Sequence, residues 1–446
     1  LLVFHFSFFI FNSFAGEVSY SKDVVPILKR TCQGCHKPGK TKGDLDLTTY
    51  DGFKKGGKHG AGFKSGDMKS SVLESVRGPE PKMPEDGDTL TAAEVATLEQ
   101  WIAQGAKDDT PPPVEITQLP VYKAAPAISA LAFSPDGTSL AVSGYTEVVI
   151  HKADGSEITS RLICQAPRVE SIAYSKDGRL LAAVGGAPGQ FGQITLWESA
   201  GGKRVLSQRL ALDSLYGACF SPEADRLSFG GADKIVRVIA VADGKELLRF
   251  DNHSDWVLGT TFTHDGKKLL SGSRDKAMKL IDAANAQLID DINKLLEPVL
   301  CFARYPKEDV IAYGGALGNA RTYKIAENQK RTAANNDTNL MKQFERQMGP
   351  IYAIAYSPDG SLIALGGLTG DVRVYNAAEA KSVTALSGHK GGVFSIAFHP
   401  DGKRVATGGF EGKVRIFEVP EGKLLIEFSP VPLQTEQKAA ALGRQH

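Results

Sequence analysis

The feature that most constrains this chain is a four-residue turn that returns seven times. It reads Ser134-Pro135-Asp136-Gly137, Ser175-Lys176-Asp177-Gly178, Ser221-Pro222-Glu223-Ala224, Thr263-His264-Asp265-Gly266, Tyr305-Pro306-Lys307-Glu308, Ser357-Pro358-Asp359-Gly360 and His399-Pro400-Asp401-Gly402. Counted on the third residue, the steps are 41, 46, 42, 42, 52 and 42. Short β runs flank the turns, as Ile354-Ala355-Tyr356 does before one and Leu362-Ile363-Ala364-Leu365 after it. Proline presets the first turn angle and glycine takes the left-handed position, so each unit reads as a hairpin. A small-residue pair follows (Gly366-Gly367, Gly408-Gly409), then an alternating strand such as Val372-Arg373-Val374-Tyr375, Val414-Arg415-Ile416-Phe417 or Ile194-Thr195-Leu196-Trp197. A period near forty with about four strands per copy is the arithmetic of a β-propeller. Seven copies predict an all-β seven-bladed propeller over residues 115–432. Residues 114–122 are expected to pair with the last blade and close the ring, which removes exposed edges.

Upstream, Asp108-Asp109-Thr110-Pro111-Pro112-Pro113 is a polar, extended spacer, so residues 108–114 form a natural linker. Residues 1–16, LLVFHFSFFIFNSFAG, are apolar and end in small residues, with Ser13 and Ala15 placed as a secretory peptidase prefers. This reads as a signal peptide and predicts a periplasmic or otherwise extracytoplasmic protein. The run opens at Leu1 with no basic stretch ahead of it, so its n-region is expected to be missing from the sequence. No apolar run reaches the roughly 18 residues of a membrane helix, so no membrane span is expected once the signal is removed. The 52 Lys and Arg nearly balance 51 Asp and Glu, which argues against nucleic acid as a partner. Residues 433–446 read as a disordered tail.

Five cysteines, at 32, 35, 164, 219 and 301, are too few and too odd for a disulfide framework. Cys164, Cys219 and Cys301 fall in different repeats and read as small buried hydrophobes. Cys32-Gln33-Gly34-Cys35-His36 carries chemistry instead. Two thiols three positions apart can add across the vinyl groups of one haem, leaving His36 under the iron as proximal ligand. A zinc site would need a second ligand pair, and residues 37–110 contain only His59. A redox dithiol would need a βαβ context, which is absent. One covalent haem c is therefore the expected cofactor. Met83, in Lys82-Met83-Pro84-Glu85-Asp86-Gly87, is the first candidate for the distal axial ligand, because Pro81 and Pro84 hold it in an extended loop. Met68 and His59 are its rivals.

The flanks of this motif read as helices. Val24, Val25, Ile27 and Leu28 precede it, and Pro26 suits a first helical turn. Thr91-Ala92-Ala93-Glu94 is a capping box; Val95, Leu98 and Ile102 follow at helical spacing beside Trp101, and Gly105 ends the helix. A small all-α domain over residues 17–107 is expected. Its charge is segregated: residues 29–82 hold twelve Lys and Arg against six acids, while residues 83–109 hold one Lys against seven acids. Lys37, Lys40, Lys54, Lys55 and Lys58 are candidates to ring a haem edge and steer an acidic partner, although a solvated surface explains them equally well.

Residues 18–107 resemble the planctomycete- and verrucomicrobia-type cytochrome c domain. The stretches that carry this are Val24-Val25-Pro26-Ile27-Leu28, Cys32 to His36, Gly56-Gly57, Ser70-Ser71-Val72-Leu73, Lys82-Met83-Pro84 and Trp101-Ile102-Ala103-Gln104-Gly105-Ala106. The resemblance implies thioether attachment at Cys32 and Cys35, His36 as proximal ligand and Met83 as distal ligand. Residues 115–430 resemble WD-repeat proteins. The terminal Trp-Asp is degenerate (Trp197-Glu198, Tyr375-Asn376, Phe417-Glu418), and the Gly-His pair stands clearly only at Gly388-His389. The expected function is exported electron transfer, with the propeller docking a protein redox partner. Two alternatives stay open: an oxidoreductase whose cytochrome domain feeds a site in the propeller, and a haem-based sensor. The longest repeat step places extra polar sequence at 326–349, which reads as a surface loop.

Overall fold

A computed structural model describes residues 16–37, 40–111, 115–293, 295–326 and 337–434. The signal-peptide reading for residues 1–15, most of the tail and residues 327–336 of the long inter-repeat stretch lie outside the described residues. The chain divides into two compact units, Leu1–Val114 and Glu115–His446.

The first unit is helical. A π-turn at Tyr20–Val24 runs into α1 (Val25–Thr31), with Pro26 in its first turn, followed by α2 (Tyr50–Lys55), α3 (Ser71–Val76) and α4 (Ala92–Ala103). The capping box forms as read: the Thr91 hydroxyl accepts from the Glu94 amide, and the Glu94 carboxylate accepts from the Thr91 amide at 2.8 Å. Gly105, at φ +102°, takes the left-handed conformation that ends the helix. Leu98, Trp101 and Ile102 then face a core shared with Tyr20, Val24, Leu28, Phe53, Phe63 and Leu73. Trp101 is its centre, 4.7 Å from the Phe63 ring and 5.2 Å from the Tyr20 ring, with its Nε1–H donating to the Lys107 carbonyl at 3.0 Å.

The second unit is β. Five four-stranded antiparallel sheets span 215–250, 257–292, 299–343, 351–386 and 393–428, each with its strands in sequence order. A seven-stranded sheet precedes them over 131–211. Its middle strand, Ile158–Tyr174, pairs early with Glu147–His151 and late with Leu181–Gly186, so it is the outer strand of one set of four and the inner strand of the next. The repeated turns sit between the first two strands of each set. Their left-handed position is glycine at 137, 178, 266, 360 and 402, and Ala224 occupies it at φ +58°. In the turn at 134–137 the Ser134 hydroxyl donates to the Asp136 carboxylate at 2.6 Å; Asp177 and Asp359 accept in the same way, and hydrogen bonds from Ser175 and Ser357 lower their pKa to about 2.

The join between the last sheet and the first differs from the expectation for residues 114–122. The last sheet supplies all four of its strands from 393–428, so no strand place is left for the N-terminal segment. That segment contributes one parallel bridge, Tyr122 to Leu433. The two sheets are fastened instead by Ile128 N–H to the Gly409 carbonyl (2.9 Å), Leu131 N–H to the Ser395 hydroxyl (2.9 Å), and the His399 ring to the Gly137 carbonyl (2.8 Å). Other repeat histidines are fasteners too. His264 bonds Asp309 and the Pro306 carbonyl of the next turn, His253 bonds Asp275 and Ser271, and His389 bonds Glu411 and Thr407. Of the three repeat cysteines Cys164 is buried as expected, whereas Cys219 and Cys301 are only half-buried; desolvation still pushes the Cys301 thiol up to about 12.

Candidate functional site

The Cys-x-x-Cys-His motif begins where α1 ends. The amides of Cys32 and Gln33 both donate to the Leu28 carbonyl, and those of Cys35 and His36 donate to the Cys32 carbonyl at 3.1 and 3.0 Å. These bonds wind the five residues into one tight turn. Leu47 braces it from outside: the Gln33 side chain donates to the Leu47 carbonyl at 2.8 Å, and the Leu47 amide to the His36 carbonyl at 2.9 Å. Cys32 and Cys35 are half-buried and free of disulfide bonding. Burial pushes the Cys32 thiol pKa up, partly opposed by its contact with the Thr31 hydroxyl at 3.2 Å.

His36 is oriented by one bond. Its Nδ1 lies 2.9 Å from the Lys42 carbonyl oxygen. A carbonyl only accepts, so Nδ1 carries a proton, the tautomer that in a neutral ring leaves the Nε2 lone pair for a ligand; such a bond orients a ligating imidazole. Met83 is half-buried and packs against the same core cluster as Cys32. Its amide donates to the Ser75 carbonyl at the end of α3, at 2.9 Å. The rivals are placed differently. Met68 is 38% exposed and His59 lies exposed at the tip of the Gly57–Gly60 bridge. That bridge is pressed against the Gly43–Leu45 backbone: a Cβ on Gly57 would stand 2.2 Å from the Gly43 carbonyl oxygen, which only glycine avoids.

Lys42 and Glu85 were not singled out from sequence. The Lys42 ammonium meets the Glu85 carboxylate at 2.9 Å, which lowers the Glu85 pKa and raises that of Lys42. The two stand 43 positions apart, and nothing in local pattern pairs them. Of the candidate haem-edge lysines, Lys54, Lys55 and Lys58 are exposed, and Lys58 lies 3.8 Å from Asp44.

The donor set suits a covalently attached haem: two free thiols in one turn, an imidazole with Nε2 open, and a thioether on the same aromatic core. It does not suit zinc, since among the described residues no three His, Cys, Asp or Glu side chains gather closely enough to hold a metal ion.

Comparison with known proteins agrees with this reading of the two units. Residues 32–87 match the family Planctomycete cytochrome C, which implies haem c. Residues 244–282, 339–376 and 380–418 match the WD domain, G-beta repeat family, whose repeats generally mediate protein–protein interaction. Among curated proteins the chain is similar to a Periodic tryptophan protein 2 homolog of Caenorhabditis elegans, 24% identical over 135 residues, and to Eukaryotic translation initiation factor 3 subunit I of Bombyx mori, 28% identical over 137 residues. Each match covers 30% of this chain, and 15% and 41% of the respective relative. The chain thus joins a cytochrome c-like domain to WD repeats and fits a redox protein with an interaction scaffold. No helix among the described residues is long and apolar enough to cross a membrane.

Proposed function

We propose that this protein is an extracytoplasmic electron carrier with one haem c, whose seven-bladed propeller docks a protein redox partner. Cys32 and Cys35 are its thioether sites, His36 the proximal ligand and Met83 the distal ligand. When bound, the haem supplies a one-electron ferric/ferrous couple. The chain's own residues do the rest. The tight turn after α1 sets both thiols toward one group, the Lys42 carbonyl holds the imidazole in the tautomer that leaves Nε2 free, and the Ser75 carbonyl anchors the backbone at Met83. The observation that carries the reading is the His36–Lys42 bond within a turn holding two unbridged thiols.

Covalent haem attachment takes place outside the cytoplasm, which supports export through the apolar segment 1–16. Five four-stranded sheets and a seven-stranded sheet whose middle strand serves two sets support the reading of seven blades. Docking rather than catalysis suits the propeller, because His253, His264, His389 and His399 are engaged within or between sheets.

Intact-mass analysis of protein matured in a host that attaches haem c tests the proposal. A mass gain of one haem and a reduced spectrum of c type, both lost in Cys32→Ser/Cys35→Ser, are the expected result. An unmodified polypeptide from such a host overturns it.

A further inference from the structure

Lys42 is hydrogen-bonded to both halves of the candidate site. Its amide donates to the Cys35 carbonyl at 3.2 Å, and its carbonyl accepts from His36 Nδ1 at 2.9 Å. Its ammonium meets the carboxylate of Glu85, two residues beyond Met83, at 2.9 Å. The opposite end of the Met83 loop is tied through the Met83 amide to Ser75. The methionine is therefore held between a bond to α3 and a bond to the residue that orients the proximal histidine. We infer that the Lys42–Glu85 pair is a positioning strap that ties the loop of Met83 to the turn of His36, so that both side chains would be presented to one haem. This rests on the haem reading above and adds to it two residues that touch neither iron nor substrate.

The strap acts on one side only. Lys42 presents His36 through its backbone, so replacing the side chain leaves the imidazole bond in place while cutting the tie to the distal loop. Side chains at 42 and 85 are 47% and 56% exposed, so the tie is of the weak, salt-screened kind. Such a tie does not decide whether the domain folds; it would bias how often the Met83 loop leaves the turn that carries His36.

The test compares Lys42→Met, Glu85→Gln and the exchanged pair Lys42→Glu/Glu85→Lys in the full-length holoprotein. The readouts are the far-red charge-transfer band of a thioether on ferric haem and the rate at which the ferrous form takes up carbon monoxide. Each single variant is expected to keep covalent haem, weaken the far-red band, and take up carbon monoxide roughly two- to five-fold faster. The exchanged pair is expected to recover most of the native behaviour, and raised salt to move the native protein toward the single variants. Native rates and band intensity in both single variants overturn the strap while leaving the haem assignment standing. A native protein without haem defeats the functional reading itself, and is recognised by mass before any variant is compared.

Discussion

At the scale of single residues, this chain spends its buried charge sparingly and pairs it closely. Glu147 is fully buried, accepting from Arg161 through two bonds of 2.8 and 2.7 Å and from the Tyr122 hydroxyl at 2.7 Å. Arg161 also donates to the Pro120 carbonyl at 2.8 Å, so the cluster anchors the entry of the chain into the β unit. Replacing Arg161 by Met strands the carboxylate, and an unfolding midpoint in urea should report a loss of about 3 kcal/mol, with Tyr122→Phe costing nearer 1. An unchanged midpoint in Arg161→Met would show that water reaches Glu147. Legibility at this scale followed sequence distance. The Cys32–His36 motif and the Thr91–Glu94 box are local and could be read directly. The Glu147 cluster and the Lys42–Glu85 pair depend on chain reversals that leave no local trace, so their partners stayed hidden.

Between residue and fold, the elements show how far a repeated pattern determines structure. Every serine- or threonine-led turn read from the sequence closes a hairpin, because the turn chemistry is complete within four or five residues. The conformation needed at its fourth position makes a paired prediction. Gly360→Ala places a Cβ 2.5 Å from the Tyr305 ring at φ +74°, and should lower stability by about 1–2 kcal/mol. Ala224→Gly, at the equivalent place in another repeat, should be neutral or gain up to about 1 kcal/mol. Thermal unfolding of the two variants checks both signs. Strand Ile158–Tyr174 was less legible, because Pro167 inside it reads as a breaker. It is tolerated where the strand leaves one set of partners and joins the next, between the pairs at 163 and 168. A further prediction belongs to the strand Tyr145–Lys152. His151 bonds the Pro430 carbonyl at 2.9 Å, is buried, and burial holds its pKa below the usual 6.5. The unfolded chain takes a proton near 6.5 while the folded one resists it, so this contribution is complete above 6.5 and fades as pH falls below it. His151→Gln should flatten that acid-side decline in denaturation midpoints; an identical slope would remove His151 as its source.

Taken as a whole, the chain is two units with separate cores, and the boundary lies at residues 114 and 115. The aromatic core around Trp101 shares no residue with the clusters of the β unit. Residues 115–446 expressed alone should therefore unfold in one cooperative step, with a midpoint matching the β transition of the full chain. A fragment that is molten by near-ultraviolet dichroism would refute that independence. The joining of a cytochrome c-like domain to WD repeats was the most legible feature, since a motif and a period sufficed for it. The fastening of last sheet to first was not, because it uses the Ile128–Gly409 backbone bond, the Ser395 and His399 side chains and the Tyr122–Leu433 bridge rather than a borrowed strand. The shared strand has one last consequence. Elsewhere neighbouring sheets are joined by side-chain contacts and single hydrogen bonds such as Ile128 N–H to the Gly409 carbonyl, whereas the seven-stranded sheet cannot be divided without breaking a continuous backbone ladder. Amide protons on both flanks of residues 158–174 should consequently exchange with deuterium as a single slow population, and any tear in the assembly should start at a different seam.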